Sequence, residues 1–150
     1  MNVIFLDIDG VLNSDRTPMP TGFVEKYDGA MEAIDEENAK HLKRVMDKHP
    51  RLKIVLSTSW RDILELDVWN ELFERFGIKN RIIGKTHYVS NGDGGRDQEI
   101  LDFVRKNQVD RWLAIDDMTL ELGMNFIRTS MLHGLTKDEA DRAINHFKVH

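Results

Sequence analysis

Val3-Ile4-Phe5-Leu6-Asp7-Ile8-Asp9-Gly10-Val11-Leu12 is the stretch whose reading decides the fold. Its apolar run to Leu6, taken up again at Ile8, is the unbroken hydrophobicity of a strand buried on both faces. Two carboxylates, Asp7 and Asp9, arrive where the run ends. Residues two apart on a strand point the same way, so both can face one site. Gly10 follows at once and permits a sharp exit or a close backbone approach. Acids at the end of a buried strand are costly unless they stand against a cation or share a proton. The pattern points to metal-assisted phosphoryl transfer. The plainer alternative is a pair of ordinary strand-exit and turn residues.

Two further strand ends carry polar clusters. Residues 52–56 read as a second strand that runs into Ser57-Thr58-Ser59-Trp60-Arg61. Residues 111–115 read as a third, ending in Asp116-Asp117. Residues 81–83 and, more weakly, 125–128 are shorter strand candidates. Helices fall between them. Asp35 suits an N-cap before Ala39, Leu42, Val45 and Met46, which share a helical face, and Pro50 enforces the stop. Leu64, Val68, Leu72 and Phe76 recur every four residues before a capping Gly77. A third helix starts at Arg96 or Asp97 with Ile100, Phe103 and Val104 inward. Thr136-Lys137-Asp138-Glu139 has capping-box form and opens a last helix with Ala140, Ala143, Ile144 and Phe147 on one face.

Strands alternating with helices imply a mainly parallel sheet with helices on both faces. Such sheets bind ligands beyond the carboxyl ends of their strands. Asp7/Asp9, Ser57/Thr58/Ser59 and Asp116/Asp117 are therefore expected to converge, with the first strand central. Residues 13–33 hold Pro18, Pro20, Gly22 and Gly29 and read as a loop with room for a small hairpin. Residues 84–95 read as a polar, glycine-rich loop.

The 150-residue chain is expected to form one domain over 1–150, with 13–33 as a flap insertion. Its 21 Lys+Arg against 26 Asp+Glu leave a net charge of −5, which argues against broad non-specific nucleic-acid binding but leaves a local basic patch open. There is no cysteine, so disulfides and thiolate metal sites are excluded. A cytoplasmic setting is expected. No apolar run approaches the ~20 residues of a membrane span, and no secretory signal or anchor is expected. His146 and His150 lie four apart without a cysteine or acidic partner, so a surface role is expected there and zinc is not. Four carboxylates at one sheet edge repel each other without a cation among them. A hard, oxygen-ligated ion fits, and Mg²⁺ suits a site shared with phosphate.

Asp-x-Asp-Gly-Val after a buried strand, hydroxyls after the second, a basic residue opening a later helix and Asp-Asp after a later strand resemble the four motifs of the haloacid dehalogenase (HAD) superfamily. The resemblance runs from Asp7 to Asp117 in the right order. Ser57-Thr58-Ser59-Trp60-Arg61 and Ile115-Asp116-Asp117 are similar to the small branch that includes phosphatase domains of RNA-repair and polynucleotide kinase proteins. It implies a three-layer, Rossmann-like α/β fold. It also implies a Mg²⁺-dependent phosphomonoesterase working through an aspartyl-phosphate.

On that resemblance Asp7 is the nucleophile, and Asp9 protonates the leaving group and then activates water. Mg²⁺ would be held by Asp7, the backbone carbonyl of Asp9, and Asp116, with Asp117 in support. Thr58 best matches the phosphate-binding hydroxyl; Ser57, on the opposite face if the strand persists, and Ser59 stay open. Gly10, Ser59, Arg61 and Lys85 fall on the substrate side. Arg61 either grips a phosphate or is a solvated helix-start charge, and Trp60 is a core or rim aromatic before it is a stacking platform. Arg96 or Lys85 supplies the transition-state cation, lysine being the family's commoner choice. Larger relatives insert a cap domain, for which 13–33 is too short, so no separate cap is expected. The open site then suits nucleic-acid ends or nucleotides, where the substrate itself shields the chemistry. The rival readings are a small-molecule nucleotidase and a phosphate-binding module without turnover. Asp9 favours an enzyme. The oligomeric state is left open.

Overall fold

The computed structural model describes residues 1–18, 26–89 and 95–149, with backbone alone at 26–28. Five strands, β1 (Asn2–Leu6), β2 (Lys53–Leu56), β3 (Ile82–Lys85), β4 (Arg111–Asp116) and β5 (Phe126–Arg128), form one sheet in the order β3-β2-β1-β4-β5. Every pairing is parallel, and β1 is central between β2 and β4. Five helices accompany them: α1 (Lys26–Glu32), α2 (Glu36–Lys48), α3 (Leu66–Glu74), α4 (Arg96–Lys106) and α5 (Lys137–His146). This is the parallel sheet the alternation implies, in the Rossmann-like α/β form the resemblance implies.

The alternation of side chains along each strand splits the core into two layers. Ile4, Leu6, Ile54, Leu56, Leu113 and Ile115 face one way, toward Leu42 and Met46 of α2, Leu72 of α3 and Ala143 of α5. Val3, Phe5, Val55 and Ala114 face the other, toward Ile100, Phe103 and Val104 of α4. Asp35 caps α2 by accepting from the Glu37 amide. Gly77 follows α3 with φ at +82°, the left-handed conformation a helix exit needs.

Four local expectations are corrected. Residues 13–33 are not loop throughout, because α1 forms inside them and buries Ala30 with Ala33 just beyond it. No hairpin is found there among the described residues; Pro20 and Gly22 lie outside them. The buried face of α3 is Trp69, Leu72 and Phe73, rotated from the four-residue stripe, so Leu64 and Phe76 only flank the core. β3 runs on through Gly84 and Lys85, which pair with Val55 and Leu56 beyond a register shift at Ile54/Val55. The expected capping box does not form at α5: the Thr136 hydroxyl donates to Glu139 and caps no backbone amide. Of the histidine pair, the His146 ring is hydrogen-bonded to the Trp112 carbonyl, and His150 lies outside the described residues. Among the described residues no helix is long and apolar enough to cross a membrane.

Candidate active site

The sheet ladder sets the site. Leu6 is level with Leu56 on one side and Ile115 on the other. The pairing continues one step: the Asp7 amide donates to Ile115 O at 3.2 Å and the Ser57 amide to Leu6 O at 2.8 Å. Asp7, Ser57 and Asp116 therefore stand side by side in one row at the carboxyl ends of β1, β2 and β4. By alternation from Phe5, Val55 and Ala114, their side chains fall on the face that carries α4.

Arg96 opens α4 and reaches across this row. Its Nη1 lies 3.1 Å from Asp7 Oδ2 and 2.8 Å from Asp116 Oδ2. Burial works against the guanidinium charge, but Asp7 and Asp116 outweigh it and raise its pKa. Asp7, Asp116 and Asp117 each offer an oxygen within 4.8 Å of the others. Asp7 also accepts from the Ile8 amide at 2.8 Å, and Asp116 from the Met118 amide at 2.9 Å. Burial, and then the charge of Asp116, push the Asp7 carboxyl up to about 8. Burial also raises that of Asp117. One guanidinium against three carboxylates leaves the cluster short of positive charge. An all-carboxylate donor set with that deficit fits a hard divalent cation such as Mg²⁺.

Gly10 has φ at +79°, and a Cβ there would lie 2.5 Å from Asp117 Cγ. Only glycine lets Asp117 close over the turn. Its backbone is fully engaged, the amide donating to Asn13 Oδ1 at 2.9 Å and the carbonyl accepting from the Thr129 hydroxyl at 2.6 Å. Gly10→Ala is expected to displace Asp117 and weaken Mg²⁺ binding at least tenfold by calorimetry, while also lowering Tm. Unchanged Mg²⁺ affinity would remove Asp117 from the cation site.

Asp9, half-buried two residues past Asp7, is outside the three-carboxylate group. Its Oδ1 accepts from Asn13 Nδ2 at 3.0 Å and its Oδ2 from Trp60 Nε1 at 2.9 Å. The sequence reading missed both partners. Asn13 belongs to no motif, and Trp60 reads from the sequence as a packing or stacking ring.

The three hydroxyls separate clearly. Thr58 is fully buried, and its Oγ1 accepts from the Trp60 amide at 3.2 Å, a local turn bond. Ser59 is exposed. Ser57 is 1 % exposed and its Oγ has no hydrogen-bond partner, beside Asp7 in the row. Ser57 and Thr58 thus face opposite ways, and Ser57 is the one in register with Asp7. Arg61 is 3 % exposed, so it is no solvated charge. Its guanidinium meets Glu99 through two bonds at 3.2 and 3.3 Å, donates to Thr86 Oγ1 and lies 3.8 Å from the Tyr88 ring centroid. Lys85 is paired with Asp62 at 2.5 Å in a more exposed position. Arg61 and Lys85 line a cavity of about 410 Å³ beside β3, with Trp69, Ile83, His87 and Phe103; neither Asp7 nor Asp116 borders it. Between Arg96 and Lys85, the structure brings Arg96 to the carboxylates.

This arrangement agrees with comparison to known proteins. Residues 3–140 match the family described as the HAD domain in Swiss Army Knife RNA repair proteins. The chain belongs to this family. No match was found among curated proteins or solved structures. Membership accounts for the parallel sheet without a cap domain and for carboxylates at the ends of β1 and β4 in this HAD domain. Members of the superfamily generally use Mg²⁺.

Proposed function

We propose that this HAD domain is a Mg²⁺-dependent phosphomonoesterase that works through an aspartyl-phosphate on Asp7 and acts on phosphorylated nucleic-acid ends. The observation that carries the reading is the row of Asp7, Ser57 and Asp116 with Arg96 laid across it. An Asp7 oxygen attacks phosphorus while the bond to the leaving oxygen breaks. Asp9 gives that oxygen its proton. Asp9 then takes a proton from water as the water attacks phosphorus, which releases phosphate and restores Asp7. Ser57, whose hydroxyl has no protein partner, donates to a phosphoryl oxygen. Arg96 turns from the carboxylates toward the phosphoryl group and balances its growing charge. Asp7, Asp116 and Asp117 would hold Mg²⁺, which neutralises phosphoryl charge and aligns the displacement. The family's RNA-repair description favours RNA ends over free nucleotides.

The test is a Mg²⁺-dependent screen of 3′- and 5′-phosphorylated oligoribonucleotides, nucleotides and sugar phosphates. Oligonucleotide ends are expected to lead. Preference for free nucleotides would give the site to a small-molecule nucleotidase, and binding without turnover would make it a phosphate-binding module. Within that screen Ser57→Ala is expected to lower kcat/KM by about ten- to a hundredfold, the worth of one hydrogen bond to a charged group. Thr58→Ala is expected to act mainly on Tm. The reverse order would return the phosphate hydroxyl to Thr58.

A further inference from the structure

We infer that Trp60 is a positioning residue for the proton-transfer group. This rests on the reading of Asp9 as general acid and base. The Trp60 indole N–H and the Asn13 amide grip opposite oxygens of one carboxylate, at 2.9 and 3.0 Å. A carboxylate offers about four lone-pair sites, so two N–H bonds leave one free site on each oxygen for a reacting proton. The carboxylate plane is then fixed from two sides, by Asn13 of its own loop and by Trp60 of the turn after β2.

Both holders are themselves held. Asn13 Nδ2 also donates to the Ala33 carbonyl at 2.9 Å, and Asn13 Oδ1 accepts from Gly10. The Trp60 amide is tied to Thr58 Oγ1, and its ring packs against the core layer that contains Leu56 and Trp69. With its polar edge committed to Asp9, Trp60 is aligned to that carboxylate before any substrate arrives. The turn after β2 thus orders two groups at once: Ser57 in the row, and, through Trp60, the carboxylate on the loop after β1. A packing aromatic alone would not need its Nε1 aimed at Asp9, and phenylalanine would serve as well.

The test replaces Trp60 by Phe and, in parallel, by benzothienylalanine, which keeps the fused-ring shape and loses only the N–H. Single-turnover rates of leaving-group release are measured with Mg²⁺ on an aryl phosphate and on a nucleoside 3′-phosphate, in the wild-type and Asp9→Asn backgrounds. The nucleoside phosphate has the poor leaving group and is expected to lose about ten- to a hundredfold, as for one lost hydrogen bond to a carboxylate. The aryl phosphate is expected to lose less than about threefold, because it needs little protonation. In the Asp9→Asn background neither replacement should add a further loss. The Trp60 indole proton resonance is expected to move upfield in Asp9→Asn without Mg²⁺. Equal losses on both substrates, or losses that multiply with Asp9→Asn, would overturn the positioning role and make Trp60 structural or substrate-contacting. A wild-type chain inactive on both substrates would instead overturn the phosphatase reading on which the role rests.

Discussion

Asp7→Asn is expected to abolish turnover and, without divalent cation, to make the folded chain more stable at pH 8. The activity loss follows from chemistry, since a neutral amide has no anionic oxygen to attack phosphorus. The stability gain follows from the setting. Asp7 is 3 % exposed, beside Asp116, and its carboxyl is pushed up to about 8 from an ordinary 3.8. Between those values the unfolded chain has released this proton and the folded chain has kept it. The unfolded state therefore binds fewer protons, and stability falls as pH rises. The contribution is whole below the unfolded value and lost as pH climbs through the folded one. At pH 8 the buried charge costs on the order of a few kcal/mol. Asparagine removes that cost, and a chain of this size then gains about 5–10 °C in Tm. In EDTA the Tm difference between variant and wild type should be small near pH 4 and grow toward pH 8. Mg²⁺ should shrink it by stabilising the wild type alone. A difference independent of pH, or a destabilised variant at pH 8, would show that Asp7 carries no electrostatic strain.

β1, β2 and β4 were legible in the sequence because each is a short apolar run closed by a polar cluster. Parallel alternation then brings Asp7 and Asp116 to one end without any knowledge of contacts. What escaped the reading was whatever depends on register or on long-range partners. Ser57 and Thr58 differ by one residue, and that one step reverses the face. Only the level pairing of Leu6 with Leu56 places Ser57 beside Asp7. Arg61 reads as a free cation until Glu99, 38 residues on, is seen to take both arms of its guanidinium. Helix α1 was hidden because it is only seven residues long and carries Gly29 in its middle, while Ala30 and Met31 pack on the core. The Trp60–Asp9 bond spans 51 residues and joins two loops, where no periodicity guides a reading.

Asp9→Asn should split its effect by leaving group, and this separates the two aspartates. A nucleoside or sugar alkoxide departs poorly without a proton, whereas an aryl oxide departs readily. General acid catalysis contributes about 10²–10⁴-fold, so that much of the first step is at stake for the alkoxide and little of it for the aryl oxide. The second step has no such escape, because water must lose a proton to something as it attacks phosphorus. On the proposed mechanism Asp9 takes that proton, two residues from Asp7 and held by Asn13 and Trp60 at opposite oxygens. Asparagine in its place keeps the hydrogen-bonding bulk and cannot take the proton. On an aryl phosphate the variant should therefore react quickly once, then stall as phospho-enzyme. Acid quench of a single-turnover reaction should trap phosphate on Asp7, and an alkyl substrate should show slow formation with little accumulation. Equal slowing on both substrates with nothing trapped on Asp7 would exclude this division of labour, because direct attack by water leaves no covalent intermediate.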